Sequence, residues 1–158
     1  MTELYRERMT AHTDDDLVVF LIGMRINKLH KVHRWAPVVG AMGKMVGELM
    51  READSDLLNI ESWFGRTTIM IQYWRSFEAL EQYAKNPNQA HLPAWANFNR
   101  LINTSGDVGI WHETYLVKPG TYETMYNNMP AFGLAKATSQ VTAIGKRKNA
   151  RGRLDQAA

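Results

Sequence analysis

Leu17-Val18-Val19-Phe20-Leu21-Ile22-Gly23-Met24-Arg25-Ile26 is almost continuously apolar and rich in β-branched and aromatic residues. Ten residues of this composition read as a β-strand, and successive side chains of a strand point to opposite faces. With no polar face, such a strand is buried on both sides. Whatever covers its two sides therefore decides the fold. Working outward, Asn27 to Pro37 is a polar connection, and Pro37 suits the first turn of a helix reaching about Glu52. Val38, Met42, Met45, Val46 and Leu49 recur at helical spacing along it. Leu57 to Phe64 and Thr67 to Trp74 read as two further strands, with a tight turn at Gly65-Arg66. Ser76 is a helix N-cap, and that helix ends before Asn86-Pro87-Asn88. A second helical segment spans about Gln89 to Ile102, with Pro93 in its first turn and His91, Trp95, Phe98 and Ile102 on one face.

A last strand follows the turn chemistry of Ser105-Gly106-Asp107. It sets Ile110, His112, Thr114 and Leu116 on one face and Trp111, Glu113, Tyr115 and Val117 on the other. The order strand, helix, strand, strand, helix pair, strand is the ferredoxin-like βαββαβ arrangement, an α+β fold with an antiparallel sheet. Its own helices cover one sheet face. The apolar first strand requires the other face to be hidden too, and the expected cover is the sheet of an identical subunit, giving a homodimer closed as a dimeric α+β barrel. Cover by the segment beyond residue 118 is the other option. The expected organisation is an N-terminal arm over residues 1–16, one domain over 17–135 and a basic C-terminal tail over 136–158.

The 158 residues contain no cysteine, which excludes disulfides and thiolate chemistry and fits a cytoplasmic protein. No run of 18 apolar residues appears, so no membrane partner is expected, and the polar N-terminus does not read as a secretory signal. The formal charge of +3 is concentrated in Lys146, Arg147, Lys148, Arg151 and Arg153. This cluster reads as a solvated end, and no nucleic-acid-binding motif accompanies it. Phosphate loops, nucleophile elbows, zinc-protease motifs and dinucleotide fingerprints are all missing from the sequence.

Four blocks carry a family resemblance: Val19 to Asn27, Lys31-Val32-His33-Arg34-Trp35, Gln72-Tyr73-Trp74-Arg75-Ser76-Phe77-Glu78, and Ser105 to Tyr115. Together they resemble a small monooxygenase-like family typified by the monooxygenase of fumagillin biosynthesis. The third block is shared more loosely with antibiotic-biosynthesis monooxygenases. The resemblance implies a dimeric α+β barrel and oxidative tailoring of small organic molecules, as in secondary metabolism. Some proteins of this architecture need no cofactor and others bind haem.

His112 is the candidate catalytic residue. An imidazole titrates near neutral pH and can take a proton from an acidic C–H or O–H, leaving a carbanion or enolate that reacts with oxygen. The structural alternative is a buried histidine bonded to a backbone carbonyl. Glu113 points away from His112 and is a candidate ion-pair partner of Arg25 or Arg75. His91 resembles the iron-ligating histidine that haem-degrading barrels carry on the equivalent helix, which makes haem the alternative cofactor; the plainer alternative is an exposed or capping histidine. Trp74, Trp95, Trp111, Phe98 and Tyr115 supply walls for a small hydrophobic substrate, although core packing uses the same residue types. Gln72, Asn59 and Arg25 interrupt apolar strands and are candidate polar contacts to it. A cofactor-independent monooxygenase-like enzyme is the leading expectation, with a haem protein and a non-catalytic ligand-binding dimer as the alternatives.

Overall fold

The computed structural model describes residues 3–51, 56–87 and 91–155. The elements are β1 (Tyr5–His12), β2 (Leu17–Ile26), α1 (Val32–Leu49), β3 (Leu57–Trp63), β4 (Ile69–Trp74), α2 (Phe77–Lys85) and α3 (His91–Leu101). They continue as β5 (Val108–Val117), β6 (Tyr126–Met129), α4 (Leu134–Ala137), β7 (Ser139–Thr142) and α5 (Ala150–Leu154). From β2 to β5 the order is that of the ferredoxin-like fold, with α2 and α3 filling the second helical slot. The four-stranded sheet runs β3-β4-β2-β5 with every pair antiparallel. The apolar run β2 is thus a central strand. It pairs with β5 along its whole length, from Leu17 opposite Val117 to Ile26 opposite Val108. Strand β5 itself lies at the sheet edge.

Two clusters fix the helices to one face. Met24, Ile26, Met70 and Val108 of the sheet pack with Val38 and Met42 of α1 and with Ile102. Val18 and Trp74 pack with Leu49 of α1 and Leu80 of α2. The Ser76 side chain accepts a bond from the Ala79 N–H at 3.1 Å and caps α2, as its sequence position requires. Helix α1 starts five residues before Pro37, so this proline lies inside the helix and not in its first turn. The early start has visible anchors: the Arg34 N–H bonds the Lys31 carbonyl, and the Trp35 indole N–H bonds the Leu29 carbonyl. Lys28 and Lys31 grip Asp107, at the entrance to β5, at 2.8 and 3.0 Å. That carboxylate is 1 % exposed. Bonds from Lys28 and then Lys31, against the opposing pull of burial, hold its pKa down at about 2.

The second face corrects an expectation. A three-stranded sheet of the same chain, ordered β6-β1-β7, covers part of it. Leu17 and Tyr73 pack there with Ala11, Leu134 and Ala135, and Val19, Leu58, Ile71 and Val117 join them. The less favoured cover, the segment beyond residue 118, supplies β6, α4 and β7. The expected arm and tail pair with each other, Thr10 opposite Val141 and His12 opposite Ser139. Their strands escape a pattern search for a physical reason. In β1 only Met9, Thr10 and Ala11 are buried, and β7 has four residues, too few to show an alternation. Among the described residues no helix is long and apolar enough to cross a membrane.

Candidate functional site

In an antiparallel ladder, residues directly opposite one another put their side chains on the same face. His112 lies opposite Ile22, Thr114 opposite Phe20 and Leu116 opposite Val18. Val18 is in the cluster with Leu49 and Leu80, so the His112 face of β5 is the helix side. Ile110, two residues earlier on that face, packs against the cluster that also takes in Phe98 of α3. The His112 ring is exposed and sits against the Phe20 ring, with centroids 5.7 Å apart. It is therefore not the buried, carbonyl-bonded histidine of the structural alternative. Phe20 is the residue that sequence inspection passes over. It stands in the middle of an apolar run and only the cross-strand register brings it to His112.

The helix side also holds Gln72 and Trp74. Both are buried, and the Trp74 indole N–H donates to Gln72 Oε1 at 2.9 Å. The Trp74 and Tyr83 rings lie 5.5 Å apart. Trp95 stacks on Phe98 at 5.7 Å and is 46 % exposed, so α3 presents an open aromatic surface. His91 opens α3, but its side chain lies outside the described residues.

Trp111, Glu113 and Tyr115 lie opposite Gly23, Leu21 and Val19, on the far face of the sheet. A pocket walled jointly by Trp74, Trp111 and Tyr115 is therefore not what the chain builds, because the sheet stands between the first and the other two. Arg25 and Asn59 belong to the far side as well. Asn59 is buried, and its amide N–H groups donate to Glu61 Oε1 at 3.1 Å and to the Gly133 carbonyl at 3.2 Å. Its amide thus ties the C-terminal segment to β3. Gln72 likewise spends its carbonyl on Trp74. Both interruptions of the apolar strands have partners within the protein, as buried amides require.

Glu113 pairs with neither expected arginine. Arg75 faces Asp56 at 3.2 Å, and Arg25 donates to Thr67 Oγ1 at 2.8 Å. Glu113 instead accepts the Tyr115 hydroxyl at 2.6 Å, which raises the tyrosine pKa. The Trp111 indole lies over Gly23. A β-carbon there would sit 2.7 Å from Trp111 Nε1 and overlap the Thr68 carbonyl, so only glycine admits the indole. Where the two sheets meet, burial, with Tyr126 and Glu61 nearby, pushes the Tyr73 hydroxyl up to about 12 and keeps it protonated. A cavity of about 380 Å³ opens where β1 turns into β2, lined by Asp14, Asp15, Asp16, Leu58 and Arg75 among others and by none of the residues around His112.

Known proteins resemble this chain in sequence and in fold. The chain is 30 % identical to the monooxygenase af470 of Aspergillus fumigatus over 123 residues, 71 % of this chain and 42 % of that protein. It thus spans less than half the length of this relative. Among solved structures it is similar to SnoaB, a cofactor-independent oxygenase from Streptomyces nogalater, at 13 % identity and a TM-score of 0.46, covering 65 % of this chain and 94 % of that one. A dimeric protein of ferredoxin-like fold from Bacteroides fragilis matches at 11 % identity and a TM-score of 0.43, over 64 % of this chain and 96 % of the other. The model of Monooxygenase af470-like proteins matches residues 17–134, which hold the whole ferredoxin-like unit and His112, and the chain belongs to this monooxygenase-like family.

Proposed function

We propose that the protein is a small-molecule tailoring oxidoreductase, a cofactor-independent monooxygenase-like enzyme that acts as a homodimer on a hydrophobic substrate with His112 as the base. The observation that carries this is the placement of His112. It is the one titratable side chain on the helix-side face of β5, it is exposed, and it rests against Phe20. Ile110 and Phe98 join its face to α3, where Trp95 offers a flat apolar surface. A planar substrate laid on these rings would bring an acidic C–H to the imidazole. Proton transfer to His112 leaves a carbanion, which forms the new C–O bond with molecular oxygen. An activated methylene is thereby oxidised to a carbonyl. One oxygen atom stays in the product, and the other leaves as water with both methylene hydrogens. The substrate supplies every electron that reduces the oxygen, and the proton held by His112 returns to the departing oxygen atom.

Oxygen uptake by the purified chain with flat phenols and enolisable ketones tests this. His112→Ala is expected to lower kcat/KM by roughly 10²- to 10⁴-fold. Full activity in that variant would sink the assignment. A Soret band on haem titration that His112→Ala or His91→Ala abolishes would move the protein to the haem alternative.

A further inference from the structure

From Leu17 to Gly47 the chain carries Arg25, Lys28, Lys31, Arg34 and Lys44 and no acidic residue. The fold gathers much of this charge at one end of the four-stranded sheet. Lys28 and Lys31 bind the Asp107 carboxylate, and Arg34 Nε stands 3.9 Å from it. Arg66, from the turn between β3 and β4, reaches the Ile26 and Asn27 carbonyls at the same end. Four cations thus share one buried carboxylate, and no other acid among the described residues pairs with them. One lysine would neutralise Asp107. The Lys28, Lys31 and Arg34 side chains are still 35–43 % exposed, Arg66 is exposed, and like charges gathered this closely attract an anion from solution. Arg34 is the least committed of the four. It donates one N–H to the Leu101 carbonyl and is too far from Asp107 for a hydrogen bond.

The bond to Leu101 puts this cluster where α3 ends and β5 begins. Helix α3 arrives there and β5 departs, and Phe98, Leu101 and Ile110 pack on one core cluster. From Leu101 back to Trp95 the helix covers about 9 Å. From Asp107 to His112 the strand covers about 17 Å. The strip of surface along the two elements therefore has guanidinium and ammonium groups at one end, an exposed imidazole at the other, and half-buried apolar side chains with the open Trp95 ring between them.

We infer that the molecule presented to His112 is an elongated carboxylic acid, its carboxylate held by Arg34 and Lys31 and its flat apolar body laid along Phe98 and Trp95 so that the acidic C–H reaches the imidazole. The inference rests on the reading of His112 as the base and names the substrate class of that site. The planar fork of Arg34 suits a carboxylate, and Asp107 keeps both lysines without it. Arg34 is thus a specificity residue whose loss is felt in KM.

Two measurements on the full chain test this. Quenching of tryptophan fluorescence follows the binding of a naphthyl-capped long-chain carboxylic acid, which has no enolisable ketone, and of the matching alcohol. The acid is expected to bind roughly 10- to 100-fold more tightly, with the margin shrinking as salt is added. Arg34→Gln should erase most of that margin and Arg34→Lys should keep part of it, with circular dichroism confirming that both variants are folded. Oxygen uptake is then compared for an enolisable ketone on a carboxylate-ended chain of about 17 Å and for its methyl ester. The advantage of the acid should lie in KM, with kcat little changed. Equal binding of acid and alcohol, a preference untouched by Arg34→Gln, or one KM for acid and ester overturns the carboxylate site, whatever turnover is seen. An acid preference that depends on Arg34, together with turnover that survives His112→Ala, overturns His112 as the base and leaves the carboxylate site standing.

Discussion

Gly23→Ala tests the packing of both sheet faces at once. The new β-carbon would overlap the Thr68 carbonyl oxygen and lie 2.7 Å from Trp111 Nε1. The indole can swing away, since Trp111 is on an edge strand and its N–H has no acceptor among the described residues. The carbonyl cannot follow so easily. The Thr68 N–H bonds the Met24 carbonyl at 2.8 Å, and Thr68 Oγ1 accepts the Met24 N–H at 2.9 Å, so the residue is held on both sides beside the buried Met24. Overpacking a well-filled site costs about 1–3 kcal/mol, and a rigid neighbour puts this one at the upper end. Loss of one of the Met24–Thr68 bonds adds about 1 kcal/mol. Reduced freedom of the unfolded chain returns about 0.4–1 kcal/mol. The net loss is about 2–4 kcal/mol, which for a chain of this length lowers Tm by roughly 5–15 °C. Urea unfolding followed by circular dichroism measures it, and tryptophan fluorescence reports the displaced indole. Adding Trp111→Ala should relieve only the smaller part of the strain, because the carbonyl overlap remains. A Gly23→Ala variant as stable as wild type, or more so, would show that Gly23 and the Thr68 carbonyl do not approach as closely as described.

Two further outcomes follow from the buried polar groups. Asp107 is depressed from its ordinary 3.8 to about 2, so the stability it contributes is fully present above the ordinary value and is lost as pH falls through 2. Urea midpoints of wild type and Asp107→Asn should therefore differ at neutral pH and draw together as pH falls through that range; a gap independent of pH would refute the ion-pair account. In Gln72→Met the Trp74 N–H loses its acceptor in a buried setting, at about 1–3 kcal/mol. Trp74→Phe in that background should cost less than it does in wild type, and strict additivity in the double-mutant cycle would argue against the bond.

Much of the core is legible because periodicity reports local geometry. The ten apolar residues of β2 occupy a central strand, Ser76 caps its helix, and the alternation along β5 separates His112 from Trp111 and Glu113. Three kinds of information are not local. Which β5 face meets the helices depends on how α1 and α3 return over the sheet, and only the register with β2 reveals it. The amides of Asn59 and Gln72 read as free for a ligand because their partners are a carbonyl 74 residues away and an indole two residues on along the same strand. The start of α1 depends on anchors at Leu29, Lys31 and Asp107, not on Pro37, whose missing N–H the helix tolerates in its second turn.

Trp111, His112 and Glu113 are contiguous in β5, yet they serve different surfaces. In a strand, neighbours in sequence are the residues least able to meet, while residues on the same face of the adjoining strand meet readily, as Phe20 and His112 do. A contiguous block of this kind is therefore better explained by two constraints acting on one strand than by one catalytic cluster. On one side His112 rests against Phe20 on the helix-side surface. On the other, Trp111 lies over Gly23 and Glu113 accepts the Tyr115 hydroxyl. The imidazole of His112 and the Trp111, Glu113 and Tyr115 side chains thus stand on opposite sides of the same ten residues.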